Sequence, residues 1–332
     1  MPPADFSALT PDTILDAIES LGLQPDARLI ELNSYENRVY QIGIEDDEPI
    51  IAKFYRANRW TDEQILEEHQ FTFELKAEEL SVVAPIRIED KSLLFDQKLR
   101  FSVFPRQGGR APPVDDLNCL ETLGRHIAMI HSIGRRQTFD HRPALSIEAF
   151  GHQAAASVLS GNLIPDTARE GYRAVTDQIL AQLEQFRSAL TRQTLRVHGD
   201  CHMGNVLWRE SQPHFVDFDD ARTGPAIQDL WMLLSGPVEE QISQWQAIMR
   251  GYRALRDFDS SELQLIEPLR TLRLIHHAAW VSQRWEEPAF QRAFSFIGSE
   301  KFWSEHILAL REQLGELSAG PSALTDQLRW VT

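Results

Sequence analysis

The sequence predicts an α+β fold with two lobes, a small antiparallel β-sheet carrying one helix and a larger, mainly helical part. Three observations lead to this prediction. Short strand-like runs are concentrated in the first hundred residues, glycine and proline interrupt the chain near residue 108, and apolar residues recur with the helical period beyond it. The length of 332 residues also exceeds that of a usual single hydrophobic core. We therefore expect one lobe over residues 1–105 and the other over residues 106–332.

The first lobe is predicted to contain short strands and a long helix. Residues 11–23 (PDTILDAIESLGL) predict an amphipathic helix that ends at a glycine. The long helix is predicted over residues 60–80, with Thr61 or Asp62 as its cap and acidic residues in its first turn. Runs rich in Ile, Val, Tyr and Phe, separated by polar turns, predict strands. These runs cover residues 28–33, 38–44, 49–55, 92–96 and 100–105.

The second lobe is predicted to begin after a hinge. The segment FPRQGGRAPP contains Gly108, Gly109, Pro112 and Pro113, which favour turns over regular structure. Beyond it, apolar residues recur every three to four positions, as on the buried face of a helix. The clearest of these helical runs are residues 117–134, 228–235, 242–255, 265–285 and 304–317.

Composition and charge exclude several classes of function. A formal net charge of −16 repels phosphate backbones and anionic lipids, so we expect neither nucleic acid nor a membrane as a partner. Two cysteines, Cys119 and Cys201, are too few for a disulfide framework or a cysteine metal cage. The start MPPADFSALTPDT lacks the pattern of a signal peptide, and no apolar run approaches the ~18 residues of a membrane span. These features predict a cytoplasmic protein.

Two polar clusters in the second half carry the candidate chemistry. The run HGDCHMGN places Asn205 five positions after Asp200, and the strand-like run HFVDF contains Asp217. This order and spacing match the catalytic loop H-R-D-x-x-x-x-N of kinases and the D-F-G that follows it, except that Asp219 replaces the glycine. A carboxylate at 200 can accept the proton of an attacking hydroxyl, and the oxygens of Asn205 and Asp217 are the hard ligands that Mg²⁺ prefers. We therefore predict Asp200 and Asp217 as catalytic residues, with Asn205 and Asp217 as metal ligands.

A cation for ATP is predicted upstream. Lys53 lies between apolar neighbours in the strand PIIAKFYR, as does the kinase lysine that holds the α- and β-phosphates and pairs with a helix glutamate. The following helix offers Glu67 and Glu68. We favour Glu68 as the partner of Lys53, because Phe71 and Leu75 share its helix face.

Beyond these motifs, the chain resembles a known family over roughly residues 11–285. The stretches NSYENRVY and DDARTGPAIQDLWML are the most specific, and KFYRANRWT, ILEEHQF, HGDCHMGN and IEPLR support them. They resemble the bacterial stress response kinase A family, which belongs to the protein-kinase-like superfamily with aminoglycoside phosphotransferases and choline kinases. The resemblance implies a protein-kinase-like fold and an ATP- and Mg²⁺-dependent serine/threonine protein kinase of the stress response, with another protein or the chain itself as substrate.

The loop that would cover the phosphates departs from the kinase pattern. It reads NSYENR and has no glycine, so phosphate contacts would have to come from backbone N–H groups and from side chains such as Ser34 or Asn37. The resemblance also places Glu36 near the ATP, where a carboxylate would repel phosphate unless a metal or cation intervened. The alternative role for Glu36 is that of a turn residue between two strands.

Two further departures leave the acceptor open. Gly199 replaces the arginine that in many protein kinases binds a phosphorylated activation loop, and the segment after Asp217 is short. A small hydroxyl-bearing molecule, such as an amino alcohol, amino acid or antibiotic, is therefore an alternative substrate. A non-catalytic nucleotide-binding scaffold is a second alternative. Asp229 is predicted to be structural, either capping a helix or accepting hydrogen bonds from the catalytic loop.

Overall fold

The structure is a computed structural model, which describes residues 6, 9–96, 99–319 and 323–330. The predicted lobes also include residues 1–5, 7–8, 97–98, 320–322 and 331–332, and this part of the prediction lies outside the described residues.

The first part of the chain forms an antiparallel sheet. The strands are β1 (Pro25–Leu32), β2 (Arg38–Ile44), β3 (Asp47–Phe54), β4 (Leu94–Asp96) and β5 (Leu99–Pro105). Their order in the sheet is β1-β2-β3-β5-β4, and each neighbouring pair is antiparallel.

Two helices belong to this sheet. Helix α1 (Pro11–Glu19) confirms the amphipathic helix predicted over residues 11–23 and places Ile14, Ala17 and Ile18 in the same apolar cluster as the strand residues. Helix α2 (Asp62–Ala77) begins at the cap Thr61, whose hydroxyl accepts from the backbone N–H of Gln64. Of the two candidate caps, the structure therefore selects Thr61.

The rest of the described chain is mainly helical. Its helices are α3 (Leu117–Gly134), α4 (Ala154–Ser160), α5 (Asp166–Leu183), α6 (Arg187–Arg192), α7 (Ile227–Trp231), α8 (Val238–Arg253), α9 (Ile266–Gln283), α10 (Pro288–Ala293), α11 (Glu300–Ala319) and α12 (Ala323–Trp330). They share one large apolar core, which includes Trp245 and Trp303 as fully buried side chains. In the described chain, no helix is both long enough and apolar enough to cross a membrane.

Two short ladders among these helices position the polar loops. Strand β6 (Thr194–Val197) pairs with β9 (Arg222–Pro225), and β7 (Val206–Arg209) pairs with β8 (Gln212–Phe215). The loop after β6 and the loop before β9 therefore leave the same end of one ladder. As a result, residues 198–205 and 216–221 lie side by side.

The connections between the sheet and the helical part are hydrogen-bonded. The backbone N–H of Val83, beyond α2, donates to the carbonyl of Phe215 (2.9 Å), and the N–H of Phe215 donates to Ser81 (2.9 Å). In the glycine- and proline-rich segment, the backbone of Arg110 exchanges two hydrogen bonds with Trp208, of 3.2 and 2.7 Å. Both connections attach to the β7–β8 hairpin, which lies between the two polar loops.

Candidate active site

A cleft of about 800 Å³ lies between the sheet and the helical part. Most of the residues predicted for the site line it, from the sheet side and from the two polar loops. They are Ser34, Glu36, Lys53, Glu68, Asp200, Asn205 and Asp217. The structure thus brings residues from separate stretches of the chain to one cavity.

Asp229 holds the loop that carries Asp200. Its two carboxylate oxygens accept the backbone N–H groups of His198 (2.8 Å) and Gly199 (2.9 Å), and the carboxylate is almost completely buried. Helix α7 has no side-chain cap. Of the two structural roles considered for Asp229, the structure therefore shows the acceptor of the loop.

Gly199 is required by the backbone at this point. Its φ of +85° lies in the left-handed region, and a Cβ at this position would collide with the carbonyl oxygen of Asp220. The arginine of the kinase loop has no place here, because the neighbouring loop occupies the space where its side chain would begin.

Asp200 is held as a carboxylate. Its Oδ1 pairs with Nη1 of Arg273 at 2.6 Å, and its Oδ2 lies 3.4 Å from Nε2 of His202. Burial alone would raise the pKa of Asp200, but the hydrogen bond from His202 and the charge of Arg273 outweigh it and lower the pKa. The residue is thus ionised and able to accept a hydrogen bond from a hydroxyl.

Asn205 and Asp217 bring oxygen atoms to the cleft from two neighbouring loops. The backbone N–H of Val216 donates to the carbonyl of Asn205 (3.0 Å), which joins the two loops. The Asn205 amide nitrogen donates to the Asp200 carbonyl (2.9 Å), so the Asn205 Oδ1 is the atom left to act as a ligand. The side chain of Asp217 is 54% exposed, and both residues line the cleft. This donor set fits Mg²⁺, which takes one or two protein oxygens and completes its shell with phosphate and water.

Lys53 lies beside Asp217 and is buried. Its Nζ is 3.0 Å from an oxygen of Asp217 and 3.0 Å from one of Asp219. Burial favours the neutral amine, but the charges of Asp217 and Asp219 outweigh it and hold the pKa of Lys53 well above its ordinary value. The ammonium is therefore charged at the end of the cleft where Asp217 lies.

The predicted ion pair between Lys53 and Glu68 is not the one found. Glu68 lies 3.5 Å from Arg142, while the two aspartates of the neighbouring loop are closer to Lys53. Burial raises the pKa of Glu68 to about 7, although Lys53 and Arg142 act against it. Glu67 instead accepts the backbone N–H groups of residues 140–142, at 2.6 to 2.9 Å. Of the two glutamates, Glu68 is the one that lines the cleft.

Asn37 does not take the place predicted for it. Its side chain is buried, its nitrogen donates to Asp219 (3.3 Å), and its oxygen accepts the backbone N–H of Arg56 (3.1 Å). Both ends of the amide are thus occupied by protein, and Asn37 is not among the lining residues of the cleft. The prediction of a direct phosphate contact from this side chain is wrong in this structure, because the loop turns it toward Asp219.

Glu36 is bound by cations on three sides. Its oxygens lie 2.9 Å from Arg56, 2.7 Å from Arg59 and 2.8 Å from Arg284, and they accept the indole N–H of Trp280 (2.5 Å). We call these five residues the Glu36 cluster. The cluster connects the loop between β1 and β2 to Trp280 at the C-terminal end of α9 and to Arg284, which follows this helix. The repulsion expected between Glu36 and phosphate is thus compensated by arginines.

Comparison with known proteins agrees with this geometry. Residues 28–265 match the family model described as the phosphotransferase enzyme family. The chain belongs to this family. Stress response kinase A of Escherichia coli O157:H7 is 43% identical over 321 residues, which cover 96% of this chain and 97% of that protein. Serine/threonine protein kinase RdoA of Salmonella typhimurium LT2 is 41% identical over 321 residues, with the same coverage.

The fold of this phosphotransferase is also found in solved structures. An amicoumacin kinase in complex with AMP-PNP and Ca²⁺ aligns with a TM-score of 0.72, covering 96% of this chain and 98% of that one at 17% identity. Identity this low shows the fold alone. The sequence-based predictions of a two-lobed kinase-like fold, of an ATP-dependent kinase and of the stress response kinase A family are confirmed.

Two arginines of this phosphotransferase were missed from the sequence. Arg59 pairs with Glu36, Asp219 (3.1 Å) and Asp220 (3.0 Å), and Arg273 pairs with Asp200. Arg59 carried a weak signal, since it follows Lys53 by six residues within the family stretch KFYRANRWT. Arg273 carried none, because it is one of several arginines in a helical run 73 residues beyond Asp200.

Proposed function

We propose that this phosphotransferase is an ATP- and Mg²⁺-dependent serine/threonine protein kinase of a stress response. The observation that carries the proposal is the convergence of Lys53, Asp200, Asn205 and Asp217 on one cleft. The names of the relatives support the protein acceptor and the stress response. The cytoplasmic location predicted from the sequence stays a prediction.

We propose that the two lobes have different roles, one in binding ATP and the other in catalysis. Residues 1–105 would hold the ATP phosphates through Lys53 and the loop that contains Ser34 and Glu36, and residues 106–332 would supply the catalytic and metal-binding loops. The ion pairs of Lys53 with Asp217 and Asp219 support this division, because they connect the sheet to the loop before β9.

Asp200 would orient the acceptor hydroxyl. An ionised carboxylate accepts the hydrogen bond of a serine or threonine hydroxyl. It takes up the proton as the hydroxyl oxygen bonds to the γ-phosphorus and the bond from that phosphorus to the β–γ bridging oxygen breaks, which releases ADP. Its lowered pKa makes Asp200 a weak base, so orientation of the hydroxyl is its larger contribution. Asn205 and Asp217 would hold Mg²⁺, which neutralises phosphate charge when bound. Lys53 would add a fixed positive charge on the phosphates.

The test is transfer of labelled phosphate to protein. With radiolabelled ATP and Mg²⁺, we expect the wild-type chain to label itself or a generic protein substrate, and Asp200→Ala and Asp217→Ala to lose this labelling. Asp177→Ala, which removes an exposed aspartate of α5, is the matched control and should keep it. Full labelling by Asp217→Ala would contradict the site assignment.

A small-molecule acceptor is the second candidate. It is favoured by the short path after Asp217, where a single turn over Phe218–Asp220 leads directly into β9. That path offers no long segment for docking a peptide. Transfer to added alcohols or amino acids, with no labelled protein, would support this candidate over the first.

A further inference from the structure

The end of the cleft beyond Asp200 has an unusual charge distribution. Helix α9 forms its wall with Leu269, Leu272, Arg273, His276 and His277. Burial lowers the pKa of His276 to about 4 and also lowers that of His277, so both imidazoles are neutral near pH 7. Arg273 is therefore the permanent charge that α9 brings to the lining of the described cleft.

The carboxylates of the cleft are already paired. Glu36 has three arginines, Glu68 has Arg142, Asp200 has Arg273, Asp217 has Lys53, and Asp220 has Arg59 and Arg222. Among the described residues that line this cavity, no carboxylate is left without a cationic partner. An ammonium or guanidinium group on the acceptor would thus have to displace one of these cations.

Arg273 is itself only partly engaged. Its Nη1 lies on Oδ1 of Asp200 at 2.6 Å, close to where the accepting hydroxyl would be, and its side chain is 47% exposed. Within the described structure, its Nε and Nη2 groups make no hydrogen bond. With one nitrogen bound to Asp200, the guanidinium still has its Nε and Nη2 N–H groups free of partners among the described residues. These two groups can donate a pair of parallel hydrogen bonds to a second carboxylate.

We propose that Arg273 selects the acceptor, favouring serine or threonine segments with a carboxylate beside the hydroxyl and disfavouring lysine or arginine there. The proposal rests on the proposed protein kinase function. Since neighbouring residues are about 3.8 Å apart along the chain, the carboxylate must lie within about two residues of the phosphorylated one to reach Arg273.

The experiment uses three peptides that differ only beside one serine, with Glu, Gln or Lys at the flanking positions. For the wild-type chain we expect kcat/KM to fall in the order Glu, Gln, Lys, with about tenfold or more between the extremes, as for a hydrogen bond to a charged group. In Arg273→Gln the ratio should shrink to about twofold through a higher KM for the Glu peptide, with KM for ATP unchanged. In Arg273→Glu the order should reverse.

A matched control is Arg250→Gln. Arg250 is an exposed arginine of α8 that pairs with Glu121, and its loss should leave the order of the peptides intact. Equal use of the Glu and Lys peptides by the wild type, with Asp200→Ala inactive on both, would overturn the proposal and leave the kinase function standing. A uniform fall in kcat on all three peptides in Arg273→Gln, with their ratio preserved, would also overturn it, because Arg273 would then only position Asp200. If no peptide is labelled while a small alcohol is, the protein kinase function fails and this inference with it.

Discussion

Replacing Glu36 by glutamine tests whether the Glu36 cluster fastens the loop between β1 and β2, which we propose covers the phosphates, to the helical lobe. Glutamine keeps the shape of the side chain and one acceptor oxygen, but it removes the negative charge and points an N–H donor at groups that are donors themselves. The carboxylate is 11% exposed and lies 2.7 to 2.9 Å from three arginines, so little water is available to replace the lost charge.

The magnitude follows from this burial. Removing one partner of a buried ion pair costs about 3–5 kcal/mol, because the opposite charges are left uncompensated. We take the lower limit, since Arg56 retains Glu287 and Arg59 retains Asp219 and Asp220. At about 2 °C per kcal/mol for a large chain, a loss of about 3 kcal/mol lowers Tm by about 6 °C. The KM for ATP should rise as well, because the loop that carries Ser34 is held through Glu36.

The assay compares thermal unfolding and ATP kinetics of Glu36→Gln with those of Glu121→Gln. Glu121 also pairs with two arginines, Arg125 and Arg250, but both of these are about half exposed. Exposed pairs contribute about 1 kcal/mol or less, so Tm of this control should change by no more than about 2 °C. A Tm for Glu36→Gln as close to wild type as that of the control would refute the reasoning, since the cluster would then be no more stabilising than a surface pair.

Three other predictions concern the catalytic loop and acid stability. Gly199→Ala should lose activity and unfold at clearly lower urea concentrations, because the added Cβ would collide with the Asp220 carbonyl. The control is Gly22→Ala, which has a similar φ of +80° but open space around it. It should lower the free energy of unfolding by only about 1 kcal/mol. Asp229→Asn should lower kcat at least about tenfold, since an amide cannot accept both backbone N–H groups of residues 198 and 199; an unchanged kcat would contradict this role. Burial lowers the pKa of His306 to about 4. Below pH 6.5 this imidazole is therefore protonated in the unfolded chain while it stays neutral in the folded chain, so the free energy of unfolding decreases as the pH falls. His306→Gln should remove about 2 kcal/mol of the stability lost between pH 7.5 and 5, as measured by urea unfolding at both pH values.

The sheet could be predicted from the sequence because its signals are local. The five strands lie within a few residues of the predicted runs, and Thr61 caps α2 through a side chain that the sequence already shows. The ladder of β6 and β9 was not predicted, because its strands have four residues each and lie about 25 residues apart, too short for a periodic pattern. Helices α4 to α6 were not assigned individually either, although α5 carries a buried face that includes Tyr172 and Ile179.

The candidate site was predictable only where its residues share a motif. Asp200, Asn205 and Asp217 follow a spacing that can be read along the chain, and the structure places them on one cavity. The direction of Asn37 could not be read, because a turn without glycine or proline gives no sign of which side chain faces inward. One partner each of Glu36 and Asp200 was hidden for a simpler reason, since Arg284 and Arg273 lie 248 and 73 residues away from them.

An acidic chain that uses ATP needs positively charged side chains at the nucleotide site, because its net charge repels the phosphates. The net charge of −16 repels the nucleotide at long range. However, Lys53, Arg59 and Arg222 line one end of the cleft, each beside an aspartate of residues 217–220. In the proposed ATP site, these pairs hold the cations in place before the nucleotide binds, so little reorganisation would be needed when phosphate replaces part of the carboxylate charge around them. The ion pairs of Glu36 bear on the loop between β1 and β2 in a similar way. Other kinases cover the phosphates with a glycine-rich loop. In the proposed ATP site, the pairs of Glu36 with three arginines would order the loop during folding instead of at each binding event.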